Sequence, residues 1–310
     1  MINQTTKDKI ENLRKIYAAL TKGHEYILHD IAVAEIPEMV YNSNAIENST
    51  LTLEDTEKIL TEGIVPKELN TREVYEAKNL ATITEQLLQN PNRQLTIELI
   101  LDWHKLLLTN IDDNIAGRFR SGKEWVRVGN HLGANPMFTV SLIRETVNKY
   151  NSDDKLYFLD NIAWFHAEFE TIHPFCDGNG RMGRMLINQQ LMLQNLPPVI
   201  VQNKSKNSDY YPLFNAYPVT MKYDGFTSLF ALLLIESLHK RITYLTAKRI
   251  IPLSLWAEQN GVKGNAAANK AKRQTIPAFR LREKWMISEN YRENIDISDF
   301  FHDKKEASNE

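Results

Sequence analysis

The chain of 310 residues has a hydrophobic fraction of 43%, a charged fraction of 25% and a formal net charge of −2. These values are ordinary for a soluble globular protein with one large core and a small second domain. The near-neutral charge argues against nucleic-acid binding by the chain as a whole, although it leaves room for a local basic patch.

The location of the protein is predicted from its cysteine content and its apolar stretches. The single cysteine, Cys176, excludes an internal disulfide and favours a reducing compartment. The first residues hold no apolar run of the kind found in a signal peptide. The most apolar stretch, 226–238, is too short to span a bilayer. We therefore expect a cytoplasmic protein with no membrane partner.

The first part of the chain, from residue 7 to about 110, has a helical pattern. Apolar residues such as Ile10 and Leu13 recur at spacings of three and four, and strand-like alternation is scarce. Breaks are expected at 63–66 and 90–92, where glycine, proline and asparagine cluster. The pattern predicts an all-α scaffold.

Within this scaffold, Ser43 and Glu47 lie four residues apart and so share one face of a predicted helix. From the residues alone, a solvated serine and a solvated glutamate are the favoured interpretation.

A different kind of structure is predicted after residue 117. Residues 125–129, Trp-Val-Arg-Val-Gly, form the clearest strand-like stretch of the first 170 residues. Glycine-containing turns bound this stretch on both sides. We predict a short β-hairpin, and a hairpin with a purely structural role stays an alternative.

The densest group of reactive residue types lies in residues 173–184, His-Pro-Phe-Cys-Asp-Gly-Asn-Gly-Arg-Met-Gly-Arg. Pro174 and the glycines stop a helix from running through, whereas strong helix formers follow from about Asn179. We therefore predict a loop that leads into a helix N-terminus. Such a terminus presents unpaired backbone N–H groups and the positive end of the helix dipole, which suit phosphate oxygens.

Four side chains near this terminus have complementary chemistry. Arg181 and Arg184 lie on neighbouring positions of one helix face, where two guanidinium groups suit the outer phosphates of a nucleotide. Asp177 is a hard oxygen ligand that suits Mg²⁺, and His173 is readily neutral and basic near pH 7. Singly, a histidine or a Gly-Asn-Gly is most often structural, so a plain turn is the alternative. The combination favours a nucleotide site with a base.

Three further features invite weaker hypotheses. Cys176 is a conceivable nucleophile, but only the nearby helix end would lower its pKa. His166 and His173 match no zinc spacing, and we expect His166 to be a packed core residue. Tyr210 and Tyr211 have two interpretations of equal weight: core aromatics on a helix, or a tyrosine pair with a functional role that is described below.

The composition changes after a long apolar helix that we expect to end near Ile250. Residues 253–262 predict a short helix, 265–273 a second helix and 276–287 a β-hairpin. Helix, turn, helix and hairpin is the layout of a winged helix. Between residues 263 and 285 a group of basic residues opposes only one acid, Glu283. These basic residues are Lys263, Lys270, Lys272, Arg273, Arg280, Arg282 and Lys284.

Two uses of this C-terminal module stay open. Its basic residues suit DNA phosphates, and the stretch 276–285 is similar to excisionase-type DNA-binding domains. Against this, Ala266, Ala267 and Ala268 leave few side chains for reading bases, and a small winged module serves equally well as a protein contact. The charged residues from Asp303 onwards predict a disordered tail.

The loop carries a family resemblance. Residues 173–184 match His-Pro-Phe-x-Asp-Gly-Asn-Gly-Arg-x-x-Arg at every defined position, and this motif is similar to that of the Fic family. Residues 165–172 resemble the helix that precedes the family's active loop. The resemblance implies a Fic-type helical domain that transfers AMP from ATP to a hydroxyl of a target protein.

The same resemblance implies a role for each residue of the loop. His173 would be the general base that deprotonates a Ser, Thr or Tyr hydroxyl, and Asp177 would hold Mg²⁺. Arg181 and Arg184 would hold the β- and γ-phosphates. The remaining positions would form an anion hole: Gly178, Asn179 and Gly180.

Outside the loop, the hairpin resembles the family's flap, which covers the nucleotide and holds the target segment by strand addition. Tyr210 and Tyr211 resemble a tyrosine pair near the adenine. The flap residues nearest ATP would be Val128, Gly129, Asn130 and His131.

Residues 43–48 fit the family's inhibitory motif, [Ser/Thr]-x-x-x-Glu-[Gly/Asn], on the N-terminal side of the loop. The fit implies that Glu47 pairs with Arg184, so that ATP binds in a misaligned pose. The chain reads Glu-Asn-Ser where the common version reads Glu-Gly-Asn, which leaves the shape of the local turn open.

The leading prediction is an autoinhibited, ATP- and Mg²⁺-dependent protein adenylyltransferase. The alternative is a DNA-binding regulator that uses the Fic domain as a nucleotide sensor or antitoxin-like module. The partners considered are a target protein along the flap, the chain itself through self-modification, DNA through the C-terminal module, and a second copy in a homodimer. The predicted segments are a helical region at 1–110, the catalytic core at 111–250, the winged module at 251–302 and a tail at 303–310.

Overall fold

The computed structural model describes residues 2–65, 70–128 and 131–293. Helices dominate these residues, which confirms the predicted helical fold class. The α-helices are α1 (Gln4–Thr21), α2 (Glu25–Ala34), α3 (Ile36–Ile46), α4 (Leu53–Glu57), α5 (Thr71–Gln89), α6 (Ile97–Leu108), α7 (Thr139–Ser152), α8 (Phe158–Ile172), α9 (Asn179–Leu193), α10 (Tyr211–Thr220), α11 (Asp224–Thr246), α12 (Leu253–Gln259) and α13 (Gly264–Lys272). The strands are β1 (Arg127–Val128), β2 (His131–Leu132), β3 (Ile250–Pro252), β4 (Phe279–Leu281) and β5 (Lys284–Ser288).

Shorter turns of helix connect some of these elements. They are the π-helical turns Lys58–Glu62 and Lys206–Tyr210 and the 3₁₀ turn Asn203–Ser205. No helix within the described ranges combines the length and the apolar character needed to cross a membrane.

The chain forms two compact units. Of the described residues, the first unit contains residue 2 and those within 32–230, and the second unit contains 3–31 and 231–293. The division into segments at residues 110, 250 and 302 that we expect from sequence stays a prediction, and its C-terminal tail lies outside the described residues.

Helices α8 and α9 lie at the centre of the first unit. Both are buried on nearly every face because apolar residues surround each helix. Helix α8 ends where His173 takes a left-handed conformation, φ 52°, and Pro174 follows. Helix α9 begins at Asn179, after Gly178 with φ 79°, as predicted. The loop between the two helices is therefore held at both ends by the core.

Three other helices of the first unit, α3, α5 and α6, pack around α9. The core that they share contains large side chains from all parts of this unit, among them Trp103, Phe165, Phe169, Phe175 and Leu186. The loop residue Phe175 is fully buried in this core, so its side chain anchors the loop.

The predicted hairpin is confirmed but shorter than expected. Strands β1 and β2 pair antiparallel, with Arg127 opposite Leu132 and Val128 opposite His131. Gly129 and Asn130, which we expect near ATP, lie outside the described residues. The backbone N–H of Ala134 donates to the carbonyl of Ile172 over 3.1 Å, which ties the hairpin's end to helix α8.

The C-terminal part of the second unit contains the two predicted helices and the predicted hairpin, here α12, α13, β4 and β5. A strand that sequence patterns do not reveal, β3, pairs with β5 and gives an antiparallel sheet of order β3–β5–β4. Helix α11 ends at Thr246 rather than near Ile250, because the chain turns there into β3. A small core around Trp256 and Ile287 supports this part. Its assignment as a winged helix stays a prediction.

Candidate nucleotide site

The loop is held in shape by Asn179, the first residue of α9. The Asn179 side chain accepts a hydrogen bond from the Phe175 N–H and donates one to the Phe175 carbonyl, each over 2.9 Å. The Phe175 ring stacks on His104 at a centroid distance of 3.6 Å. Asn179 thus shapes the loop through its side chain, which leaves its backbone N–H at the helix terminus for an anion.

His104 of α6 fixes the carbonyl of Asp177. Burial lowers the pKa of His104 to about 4, so the imidazole is neutral near pH 7. Its Nδ1 accepts from the N–H of Gly117 over 3.0 Å, and its Nε2 therefore donates to the Asp177 carbonyl over 3.1 Å. Nothing in the sequence marks His104 as part of this site.

Arg120 ties the hairpin segment to the loop. This fully buried guanidinium donates to the carbonyls of His173 (2.7 Å), Ile172 (2.8 Å) and Ala134. The Arg120 N–H also donates to the Pro174 carbonyl over 2.9 Å. Arg120 thereby cross-links the backbone behind His173 to the hairpin segment. The sequence analysis does not predict this role.

The predicted base, His173, is oriented by the end of α8. Its Nδ1 lies 3.2 Å from the Glu170 carbonyl oxygen and 3.6 Å from Glu170 Oε2. Donation from Nδ1 to this carbonyl leaves the ring's lone pair on Nε2. The His173 side chain is one-fifth exposed, so a substrate can reach it.

Glu170 is itself unusual, because it is a carboxyl group buried in the core. Burial is the main cause that raises the pKa of Glu170 to about 8; the Arg184 guanidinium opposes this rise and the Glu47 carboxylate adds to it. Glu170 Oε1 has no hydrogen-bond partner among the described residues. A Cβ at Gly183 would collide with this oxygen, so the carboxyl group lies directly against helix α9.

The structure brings Ser43, Glu47 and Arg184 together. Arg184, buried in α9, donates from Nε to the Ser43 hydroxyl (2.9 Å) and from Nη2 to the Ser43 carbonyl (2.8 Å) and Glu47 Oε1 (2.8 Å). The Glu47 side chain is 40% exposed, whereas that of Arg184 is 7% exposed. The guanidinium is thus held on one side by the end of α3.

The Glu47 carboxylate also reaches the N-terminus of α9. A Cβ at Gly180 would collide with Glu47 Oε1, so this oxygen lies against the first turn of the helix. A helix N-terminus and a guanidinium are both preferred by anions. Glu47 therefore supplies a carboxylate where the predicted site would hold a phosphate.

Residues 206–211 hold the end of α3 in this position. Lys206 Nζ donates to the carbonyls of Ala45 (2.9 Å) and Ile46 (3.1 Å), and the Tyr211 hydroxyl donates to the Ile46 carbonyl over 2.5 Å. A cation at a helix C-terminus is favourable. Asn48 takes the left-handed conformation, φ 67°, which defines the turn that the sequence leaves open.

Arg181 and Asp177 belong to a closed ring of four charges, which we call the ion ring: Arg72, Glu76, Arg181 and Asp177. Arg72 contacts Glu76 Oε1 (3.1 Å) and Asp177 Oδ2. Arg181 contacts Glu76 Oε1 (3.0 Å) and Asp177 Oδ1 (3.2 Å). Burial alone would raise the pKa of Asp177, but Arg181 and Arg72 together lower it below its ordinary value.

Arg181 is buried, and its hydrogen-bonding capacity is only partly used. Only 3% of its side chain is exposed, and neither Nε nor Nη1 has a hydrogen-bond acceptor among the described residues. Nη1 lies near Glu76 without hydrogen-bond geometry. A buried guanidinium with unsatisfied donors is suited to binding an anion.

The remaining predicted residues have different outcomes. Tyr210 is buried, with its hydroxyl 2.9 Å from His166 Nε2, and Tyr211 lies beside α3 as described above. His166 is a packed core residue, as expected: burial lowers its pKa to about 3. Burial also raises the pKa of the Cys176 thiol, which disfavours it as a nucleophile. No group of three or more His, Cys, Asp or Glu side chains suited to a metal occurs in the described part of the chain.

Fold and site together define a helical domain built around the loop between α8 and α9. Residues 94–191 match the Fic/DOC family, and this range contains the loop and both central helices. The chain therefore carries a Fic/DOC family domain, as the sequence motif predicts.

Curated relatives extend the similarity beyond that range. The chain is 32% identical over 178 residues to protein adenylyltransferase fic-1 of Caenorhabditis elegans, covering 56% of this chain and 34% of the relative. It is 30% identical over 223 residues to protein adenylyltransferase Fic of Nematostella vectensis, covering 69% of this chain and 50% of the relative. The chain thus spans about one third to one half of these relatives.

Solved structures show the same fold. A Fic-domain-containing signaling protein from Bacteroides thetaiotaomicron aligns with a TM-score of 0.68 at 24% identity, covering 76% of this chain and 96% of that chain. Fic-1, residues 134–508, from C. elegans aligns with a TM-score of 0.66 at 24% identity, covering 77% of this chain and 71% of that chain. These alignments confirm the predicted Fic-type helical fold.

Proposed function

We propose that this chain is a protein adenylyltransferase, a nucleotidyltransferase that moves AMP from ATP to a Ser, Thr or Tyr hydroxyl of a protein. The Fic/DOC domain and the relatives named protein adenylyltransferase support this proposal. The observation that carries it is the position of the Glu47 carboxylate, which lies against Gly180 and pairs with Arg184. An anion from the chain itself already lies where the nucleotide's phosphate would bind.

In the proposed reaction, the hydroxyl oxygen attacks the α-phosphorus of ATP. A new O–P bond forms, the bond between the α-phosphorus and the bridging oxygen breaks, and pyrophosphate leaves. His173 Nε2 accepts the hydroxyl proton, because Nδ1 is directed at the Glu170 carbonyl. A positioned base of this kind contributes about 10²–10⁴-fold to the rate.

The triphosphate would be held by the first turn of α9 and by two arginines. The N–H groups that follow Gly178 point out of the helix N-terminus. Arg181 has unsatisfied donors, and Arg184 gains access to a phosphate when Glu47 leaves it. Guanidinium groups at these positions stabilise the charge that develops on the departing pyrophosphate.

The residues also fit Mg²⁺, which we propose as the cofactor. Asp177 offers a partly exposed carboxylate, and its contacts in the ion ring are with the cationic groups of Arg72 and Arg181. One carboxylate is sufficient, because Mg²⁺ usually keeps several waters and takes other oxygens from the substrate phosphates. When bound, Mg²⁺ would supply charge neutralisation for the phosphates.

The hydroxyl donor would be presented by a protein segment bound along the hairpin. Strands β1 and β2 form a two-stranded sheet, and an edge strand can accept another strand through main-chain hydrogen bonds. Such pairing reads few side chains. A target protein and the chain itself are therefore both candidate substrates, and we propose self-modification as the first activity to look for.

We propose further that Glu47 makes the enzyme autoinhibited. While Glu47 and Ser43 hold Arg184, the γ-phosphate lacks this guanidinium and ATP binds out of line for attack. Hydrogen bonds to charged groups are worth about 1.5–3 kcal/mol. A bias of that size leaves only about 1–10% of the molecules in the released state.

Intact-protein mass spectrometry tests the proposed function. The full chain with Glu47→Gly is incubated with ATP and MgCl₂, and we expect at least one AMP adduct on a hydroxyl-bearing residue. The same chain with His173→Ala added should bind ATP and carry no adduct. Absence of AMP from both chains, despite saturating ATP binding, would reject the proposal.

A second candidate function is DNA binding by the second unit. Lys263, Lys272 and Arg273 are exposed around α13, and Lys284 is exposed in the wing-like hairpin. Lys270 and Arg280, however, are paired with Glu293 and Glu236, which weakens the basic patch. We propose that any binding is non-specific and dependent on salt.

Electrophoretic mobility shifts with the full chain and a duplex DNA test this second function. The prediction is a shift at low salt that weakens as salt rises and that disappears with Lys272→Glu and Arg273→Glu. His173→Ala serves as the control, since it should not change DNA affinity. We keep a cytoplasmic location and a homodimer as predictions, to be checked by fractionation and analytical ultracentrifugation.

A further inference from the structure

The ion ring joins two residues of α5 to two residues of the loop and α9. Arg72 and Glu76 are four apart on α5, and Asp177 and Arg181 are four apart across the start of α9. Each arginine contacts both carboxylates, at the distances given above. The four charges therefore balance within one closed arrangement.

The two α5 residues match the ligand that the proposed site would take. Arg72 places a cation on Asp177, where the proposed function places a divalent metal ion. Glu76 places a carboxylate against Arg181, where it places a phosphate oxygen. Arg72 thus carries positive charge where the metal ion would bind, and Glu76 carries negative charge where a phosphate would bind. A metal-bound polyphosphate has the same arrangement of charges.

We propose that Arg72 and Glu76 determine how strongly the site binds a nucleotide polyphosphate and how much it depends on a divalent cation. The inference rests on the proposed function and adds two specificity-determining residues to it. These residues act at Asp177 and Arg181, whereas Glu47 acts at Arg184. The ion ring and Glu47 are therefore separate competitors of the nucleotide.

An exchange of ion-pair partners within the ion ring explains how a metal–nucleotide complex can bind without leaving any of the four charges unpaired. Asp177 would pass from Arg72 to the metal ion, and Arg181 from Glu76 to a phosphate. Arg72 and Glu76 would keep each other, because they already contact over 3.1 Å on the same helix. Metal-free nucleotide displaces only Glu76, and Arg72 then shields the phosphates from the Asp177 carboxylate.

Removal of Arg72 should have effects of opposite sign in the two conditions. Without a divalent cation, Arg72→Ala exposes the phosphates to Asp177, so metal-free nucleotide binds more weakly. With Mg²⁺, the same change removes the cation's competitor, so the complex binds more tightly. Because Arg72 is half exposed, we expect each of these changes in nucleotide affinity to be about two- to fivefold.

Removal of the Glu76 charge should act in one direction only. Glu76→Gln frees the buried Arg181 from its competing anion while keeping the side chain's shape. Nucleotide should therefore bind more tightly with and without Mg²⁺, by about tenfold. A role limited to packing would weaken binding in both conditions.

Isothermal titration calorimetry with α,β-methylene-ATP measures these effects on the full chain. This analogue cannot lose AMP, because the bond broken in transfer is replaced, so binding is read without turnover. Titrations are made in saturating MgCl₂ and in EDTA. Arg72→Lys keeps a cation at Asp177 and should stay close to the unsubstituted chain.

Matched controls come from an ion pair elsewhere in the same unit. Lys58 and Glu54 are also four apart, exposed and paired over 2.6 Å. Lys58→Ala and Glu54→Gln repeat the charge changes of the two test variants and should leave both affinities unchanged. Thermal unfolding of every variant checks that the fold is kept.

Two results would overturn the inference. If Arg72→Ala shifts the affinity in MgCl₂ and the affinity in EDTA in the same direction, Arg72 does not compete with a divalent cation for Asp177. Glu76→Gln that leaves both affinities unchanged would remove the role of Glu76. If the unsubstituted chain binds no analogue in either condition, the proposed function fails as well; if it binds and the variants match their controls, only this inference fails.

Discussion

The Glu47 carboxylate meets the Arg184 guanidinium at 2.8 Å, although 137 residues separate them in the chain. The contact joins an exposed group at the end of α3 to a buried group in α9. Because the exposed partner can move without opening the core, the contact can be broken at little structural cost. This asymmetry suits a reversible restraint.

The first prediction concerns this contact. Glu47→Gly should raise self-modification with labelled ATP by about ten- to a hundredfold, because a charged hydrogen bond to Arg184 is lost. The measurement is the initial rate of label incorporation. Glu54→Gln, at an exposed position on α4, is the control and should label at the original rate. Equal labelling of the Glu47→Gly and original chains would rule out the inhibitory role.

The second prediction concerns the base. In the Glu47→Gly background, His173→Ala should reduce the rate of AMP transfer by about 10²–10⁴-fold while the affinity for ATP changes little. Rates by label incorporation and affinities by calorimetry separate the two effects. A large loss of affinity with an unchanged rate at saturation would assign His173 to binding instead.

The third prediction concerns stability at Arg120. Arg120→Met should lower the free energy of unfolding by about 3–5 kcal/mol, because four backbone carbonyls lose their donor, those of Glu124, Ala134, Ile172 and His173. Urea denaturation measures this change. Arg118→Met is the matched control: Arg118 is 41% exposed and paired with Glu124, so its loss should cost less than the loss of the buried Arg120. Similar decreases in the free energy of unfolding for both variants would show that the Arg120 cross-link makes no special contribution to stability.

The fourth prediction concerns pH. His166 has a pKa of about 3 in the folded chain against an ordinary 6.5, so the unfolded chain binds more protons between these values. Its contribution to stability is complete above pH 6.5 and is lost as the pH falls towards 3, by up to about 1.4 kcal/mol per pH unit. His166→Phe should remove this slope from urea unfolding measured at pH 4–7.

The comparison must be made between variants, because Glu170 acts in the opposite direction. The pKa of Glu170 is raised from 4.5 to about 8, so its contribution is complete below pH 4.5 and is lost as the pH rises towards 8. The two slopes partly cancel in the original chain. A pH dependence of stability that is identical in the His166→Phe chain would mean that His166 does not titrate as described.

The loop between α8 and α9 could be predicted from sequence because the residues that define it are contiguous. Proline and glycine mark the break, and the helix formers after Asn179 mark the restart, so local rules suffice. The element order at the C-terminal end was predictable for the same reason. Strand β3 was missed because its pairing with β5 depends on residues more than thirty positions away.

The supporting residues could not be predicted, because packing rather than pattern brings them to the loop. Arg72 and Glu76 are read as an ordinary charged pair on a helix surface, because their partners Asp177 and Arg181 lie about a hundred residues further along the chain. His104 and Arg120 have no distinguishing neighbours in sequence. A buried charge shows its role only when the carbonyls or carboxylates around it are known.

The anchoring of α3 by Lys206 and Tyr211 has a consequence for tuning. The short stretch that holds the end of α3 also contains the tyrosine pair we expect beside the adenine, so the proposed restraint and the proposed adenine contact would depend on the same residues. Substitutions there would reset the fraction of active molecules while leaving the reacting atoms untouched. The proposed resting activity would then be adjustable by residues that take no part in the proposed chemistry.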